Sequence, residues 1–200
     1  SNLPEMQLLE AILLDFGITP ERRSKVHFFK LLNSFLIEQL AKSSNAVLVI
    51  DEAQNLKNSA LETIRMLSNL ETEKEKLLQI VLVGQPELRA KLNAPELAQL
   101  KQRIGVRFHI TALTKNEVRE YIQHRLYVAG NRNEILFDDD AVSIIAYLSH
   151  GIPRVINILC DKALLLGFAQ DTRHISKDII NRSFEELQGN FTHATEGAHE

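Results

Sequence analysis

The sequence predicts an α/β fold with a parallel sheet, followed by an all-helical part. Two continuous apolar runs, Ala46-Val47-Leu48-Val49-Ile50 and Ile80-Val81-Leu82-Val83, are β-branched and too short for stable helices, so each reads as a strand. Helical periodicity from about Asn58 to Leu70 lies between them, which makes a strand, helix and strand unit whose crossover is almost always right-handed. After Leu113 the strand signals stop, and every further periodic segment is helical.

The elements follow in order. Leu8, Leu9, Ile12 and Leu13, then Phe28, Leu31, Leu32, Phe35, Leu36 and Leu40, recur at helical spacing on either side of Thr19-Pro20. Two amphipathic helices therefore open the chain. The run 46–50 has no polar alternation and is expected to be buried on both faces. It stops at Asp51-Glu52, and the second run closes on Gly84-Gln85-Pro86 after the charged stretch Glu71 to Lys76. Pro95 to Ile104 predicts another short helix. Val106-Arg107-Phe108-His109-Ile110 alternates apolar with polar and predicts a third, less covered strand. Thr114 to Ala129, Asp138 to Ser149, Pro153 to Gly167 and Ser176 to Leu187 predict four helices, with Thr114 and Ser176 as N-caps and Gly130 and Gly151 as stops. The chain thus divides into an α/β part over 1–112, a helical part over 113–188, and a small, polar tail over 189–200 that is expected to fray. No internal repeat or low-complexity tract interrupts it.

Composition narrows the function classes. Over 200 residues, 44% hydrophobic and 24% charged content is that of a chain able to bury a sizeable core, which excludes a disordered or collagen-like polymer. A single cysteine, Cys160, permits no internal disulfide and suits a reducing compartment, so a cytoplasmic location is expected. No apolar run reaches the roughly 20 residues of a membrane span, and Ser1-Asn2-Leu3-Pro4-Glu5 lacks the features of a signal peptide. A pI near 6.2 argues against a strongly basic nucleic-acid binder, although a local patch could hide inside the balanced total, and the net charge of −3 itself says little. Lys91, Lys101, Arg103, Arg107, Lys115 and Arg119 could form a basic strip, but Glu87, Glu96, Glu117 and Glu120 are interspersed and make an ordinary charged surface.

Asp51 and Glu52 carry the sharpest chemical signal. Adjacent carboxylates at the carboxyl end of a buried parallel strand sit where open α/β sheets bind ligands, and such a pair suits a cation. In P-loop hydrolases the first acid helps hold Mg²⁺ through its water shell and the second acts on the attacking water. Alternatively, Asp51 caps the following helix and Glu52 is solvated. Gln85 ends the next strand at the same level and could orient a water or phosphate oxygen, or simply form a turn with Gly84. Arg154, in Gly151-Ile152-Pro153-Arg154, falls in a first helical turn, where the helix dipole disfavours a cation; a ligand or a salt bridge would account for it. Arg103 ends a helix, where a cation is comfortable. The seven histidines show neither HExxH spacing nor a Cys/His cluster, which argues against zinc. Cys160 lies beside Leu159 on an apolar helix face and reads as core. No serine sits in a nucleophile elbow.

Several segments together resemble a known family: VLVIDEAQNL at 47–56, LETEKEKLLQIVLVGQPEL at 70–88, QRIGVRF at 102–108, YIQHRLYVAG at 121–130 and GIPRVINILCD at 151–161. In wording and order, over most of residues 1–187, they are similar to AAA+ ATPases of the ExeA/GspA group, which includes proteins of MSHA-pilus biogenesis. The resemblance implies a P-loop NTPase sheet with flanking helices followed by a helical lid. It implies that Asp51 and Glu52 are the Walker B pair, with Asp51 holding Mg²⁺ through water. Gln85 would be sensor 1, Arg154 sensor 2, and Arg103 an arginine finger offered to a neighbouring copy, with Arg107 the second choice for the finger. Asn2 falls near where relatives restrain the Walker B glutamate. ATP and Mg²⁺ are the implied cofactors. The implied partners are further copies of the chain and an envelope secretion or pilus assembly protein, with membrane association through other parts of the full protein.

One departure is large. A phosphate-binding loop needs Gly-x-x-x-x-Gly-Lys followed by Ser or Thr, and none of the eight glycines is followed by lysine. Relatives place that loop ahead of the segment where this chain begins. These residues are therefore expected to form a domain truncated at its N-terminal side, one that binds ATP weakly or not at all and does not turn it over alone. The missing strand would lie between those of Val81 and Phe108 and leave both with unpaired edges. Two other readings remain open: a DNA-transaction ATPase sharing the same motifs, and a non-hydrolysing interaction module.

Overall fold

The computed structural model describes residues 4–132 and 134–196. The chain divides into two compact units, the first ending at Phe108 and the second beginning at His109, a few residues ahead of the expected boundary at 112/113. The linking stretch goes with the helices because Leu113 N–H donates to the Gly151 carbonyl at 2.9 Å.

The first unit starts with α1 (Glu5–Asp15) and α2 (Lys25–Ala41), whose apolar stripes, Leu8, Leu9, Ile12 and Leu13 against Phe28, Leu32 and Leu36, are buried. β1 (Ala46–Ile50) leads through a 3₁₀ turn at Ala53–Asn55 into α3 (Asn58–Leu67), and β2 (Leu78–Leu82) returns beside β1. The strands pair in parallel with Ala46 opposite Leu78 and Ile50 opposite Leu82, as the crossover requires. α4 (Pro86–Leu92), which the periodicity does not predict, follows the second strand, and α5 (Ala98–Arg103) follows a 3₁₀ turn at Pro95–Leu97.

Two expectations about the sheet are corrected. β1 is buried on one face only. Ala46, Leu48 and Ile50 join the core with α1, α2 and α3, while Val47 and Val49 stand 47% and 60% exposed on the other face. Residues 106–110 form no strand. They have no ladder partner among the described residues, and Val106, Phe108 and Ile110 are 86%, 89% and 83% exposed. A strand exists only against a neighbour, and β2 pairs with β1 alone among the described residues.

The second unit packs α6 (Lys115–Val128), α7 (Asp139–Ser149), α8 (Pro153–Ala169) and α9 (Lys177–Glu196) around Val118, Ile122, Ile145, Ile156, Leu159 and Ile180. Thr114 caps α6 in a reciprocal box. Its Oγ1 accepts from Glu117 N–H at 3.4 Å, and Glu117 Oε2 accepts from Thr114 N–H at 2.8 Å and from Thr114 Oγ1–H at 2.7 Å. The unit is not purely helical: β3 (Leu136–Phe137) pairs in parallel with β4 (His174–Ile175). Pairs this short leave no periodic signal. α9 continues to Glu196, past the end of the apolar pattern at Leu187, so that 189–196, expected as a frayed tail, are helical. No helix among the described residues is long and apolar enough to cross a membrane.

Candidate functional site

The site is built at the carboxyl ends of β1 and β2. Val83 N–H donates to the Ile50 carbonyl and Ala53 N–H to the Val83 carbonyl, each at 2.9 Å, so the ladder continues past both strand ends. Between these two anchors Asp51 and Glu52 must turn. Glu52 does so in the left-handed region at φ +52°, where a residue with a Cβ is strained, and its N–H donates to Asp51 Oδ1 at 2.7 Å. Ala53 is wholly buried beneath the turn. The two acids consequently project from a fixed backbone at the rim of the sheet, both exposed.

Gln85 meets them from the second strand. It occupies the N-cap position of α4, with Pro86 as the first helical residue, and its side chain makes no capping bond. Its Nε2 instead donates to Glu52 Oε2 at 3.3 Å. Gln54, which sequence reasoning missed, completes the cluster by donating from Nε2 to Glu52 Oε2 at 2.5 Å and accepting Gln85 N–H on Oε1 at 3.1 Å. Its place in a 3₁₀ turn returns its side chain over the acids, and no sequence period announces that turn. Lys91 Nζ ties the turn down by donating to the Gln54 carbonyl at 3.0 Å and to the Leu56 carbonyl.

Asp51 and Glu52 have no ion-pair partner among the described residues. Two adjacent uncompensated carboxylates concentrate negative potential and fit a hydrated Mg²⁺, which takes one or two carboxylates and fills the rest of its shell with water and phosphate oxygen. No larger group of His, Cys, Asp and Glu that could hold a metal occurs among the described residues. The acid pair and Gln85 therefore fit the metal side of a magnesium nucleotide. The phosphate side needs a glycine-lysine loop that these 200 residues do not contain.

The structure separates the two arginines near α5. Arg107 is engaged, donating to the Lys101 carbonyl at 2.9 Å and so capping the helix. The Arg103 side chain, exposed in the last turn, makes no hydrogen bond among the described residues; its charge adds slightly to the effect of the Lys76 hydrogen bond, which holds the Glu71 carboxyl below its usual range. Arg154 lies in the second unit, in the first turn of α8, exposed and without an acid partner among the described residues. Asn2 lies outside the described residues. Cys160 packs against the helical core, where burial and the charge of Asp161 push its thiol up to about 12, far from a reactive thiolate.

Comparison with known proteins gives this geometry relatives. Residues 2–92 match the AAA domain family. Over 189 residues the chain is 40% identical to general secretion pathway protein A of Aeromonas hydrophila, covering 94% of this chain and 34% of that protein. The chain thus spans about a third of the length of that curated relative. Among solved structures, the ORC2 protein of Aeropyrum pernix in its ADP form superposes with a TM-score of 0.65 at 16% identity, over 90% of this chain and 49% of that one. Cdc6p of Pyrobaculum aerophilum gives 0.62 at 19% identity, over 89% and 48%. The RuvB Holliday junction branch migration motor of Thermotoga maritima gives 0.57 at 18% identity, over 91% and 67%. At these identities the structures speak for the fold alone, a P-loop NTPase fold of the AAA+ type. The AAA domain match over residues 2–92 and the 40% identity across 94% of this chain support an AAA+ domain similar to that of general secretion pathway protein A.

Proposed function

We propose that these residues form the catalytic-acid and lid portions of an ATPase domain that drives assembly of a bacterial cell-envelope machine, a secretion or pilus system. The observation that supports it most is the meeting of Glu52 and Gln85 at the ends of two paired strands, beside an uncompensated Asp51. In this reading Asp51 holds Mg²⁺ through its water shell. Glu52 accepts the proton of the attacking water, and Gln85 orients that water or a phosphate oxygen. The bound magnesium nucleotide supplies the electrophilic phosphorus and a leaving group whose charge the metal neutralises.

Arg103 is the arginine offered to a neighbouring copy, supported by its freedom where Arg107 is engaged. Arg154 is the cation that the helical unit offers to a nucleotide, supported by its unpaired place against the helix dipole. Phosphate contacts come from residues outside these 200, so the chain alone binds ATP weakly. The name of the Aeromonas relative supports a secretion-system partner. A cytoplasmic location, with membrane attachment through other parts of the full protein, follows from that reading.

The test is steady-state ATP hydrolysis by the full gene product with single substitutions. Glu52→Gln keeps the shape and removes the base, and is expected to lower kcat by about 10²- to 10⁴-fold. Arg103→Ala should abolish turnover in an all-mutant preparation. Mixing it with Glu52→Gln should restore part of the activity, because each then supplies what the other lacks. Full turnover by Glu52→Gln would sink the assignment.

A further inference from the structure

Gln54 is used at both ends of its carboxamide. Nε2 donates to Glu52 Oε2 at 2.5 Å, and Oε1 accepts the backbone N–H of Gln85 at 3.1 Å. Gln85 Nε2 reaches the same Glu52 oxygen at 3.3 Å. Both amide donors therefore hold one oxygen of the carboxylate, and among the described residues no donor reaches the other, Oε1.

The seat of this side chain is shaped for it. A Cβ on Gly84 would lie 2.6 Å from Gln54 Oε1 and 3.0 Å from Leu88 Cδ2, so a side chain at position 84 would displace the carboxamide. Lys91 fixes the main chain of the same residue from below. The left-handed backbone of Glu52 settles where its side chain starts, and the Gln54 contact settles which oxygen is tied and which is presented.

We propose that Gln54 is a positioning residue that clamps Glu52 through Oε2, turns Oε1 toward the attacking water, and couples this orientation to the backbone of Gln85. This rests on the reading of Glu52 as the base. Without the clamp the carboxylate rotates freely, and a misplacement of about 1 Å is enough to slow a reaction by about a hundredfold. Gln54 does not touch the nucleotide in this account, so its loss should act on the chemical step and leave binding alone.

Two readouts test it. In the full gene product, Gln54→Ala and Gly84→Ala should each lower kcat by about 10- to 100-fold while the KM for ATP stays within about twofold. In the 200-residue chain, ¹H–¹⁵N spectra should show the Gln85 backbone amide shifting on Glu52→Gln, and a clearly smaller shift when Gln54→Ala is already present, because only the direct Gln85 side-chain contact with Glu52 then remains. These spectra need no turnover and also report whether each variant is folded. A Gln54→Ala kcat within about threefold of wild type, or a Gln85 response undiminished without Gln54, overturns the proposal. Failure of the underlying reading looks different: Glu52→Gln itself would then leave hydrolysis intact.

Discussion

Gly151 is held by geometry at its own Cα. It sits at φ +71° after His150, itself left-handed at φ +50°, and a Cβ there would fall 2.0 Å from the Leu113 carbonyl oxygen. Ser149 Oγ accepts the Gly151 N–H at 3.1 Å, so the whole turn is committed before Arg154 is reached. Gly151→Ala combines strain with a backbone clash and is expected to cost about 3 kcal/mol or more. Gly130→Ala, at φ +91° with open space around it, should cost only about 1 kcal/mol. All three tyrosines, Tyr121, Tyr127 and Tyr147, lie in the second unit and the chain has no tryptophan, so tyrosine fluorescence during urea unfolding reads this difference directly. Equal midpoints for the two variants would contradict it. At this scale the sequence carried much of the candidate site's geometry, namely which side chains meet at the strand ends. Asp51-Glu52 and Gln85 are legible because strand ends are legible, and adjacency puts them at one level. Gln54 is not, because its contact depends on a 3₁₀ turn and on empty space at Gly84, neither of which leaves a pattern along the chain.

Elements show which rules are local. The α6 cap could be read from Thr114 and Glu117 because both partners lie within one turn. Thr114→Ala should destabilise the helical unit by about 1 kcal/mol. The hydrogen bonds from the Thr114 N–H and hydroxyl hold the Glu117 carboxyl below its ordinary value, so the folded pKa is depressed. The stability this contributes is present above the unfolded value, near 4.5, and is lost as pH falls through the folded one. The Thr114→Ala penalty should therefore shrink below about pH 4, and an unchanged penalty there would contradict the assignment. Residues 106–110 teach the opposite lesson. Alternation is a true strand signal, but pairing is not local, and this segment lacks a neighbour. Phe108→Ala should accordingly change the stability of this chain by less than about 0.5 kcal/mol, where a covered strand would lose about 3–5 kcal/mol. Chemical denaturation of the two chains side by side distinguishes these values.

At the scale of the molecule, two separate cores account for the order of the sequence: strand runs and a crossover first, helices afterwards. That division and the parallel crossover follow from hydrophobic period alone. The open face of β1 does not, because a continuous apolar run describes a strand meant to be covered without saying what covers it. Val47 and Val49 keep that character while exposed. The central claim is that these residues hold the acid, the glutamine and the arginines of an ATPase while its phosphate cradle comes from elsewhere. ATP binding and hydrolysis with Mg²⁺, measured for the 200-residue chain beside the full gene product, test it most directly. Turnover confined to the full gene product is the predicted result; hydrolysis by the short chain, or by neither, would contradict the account.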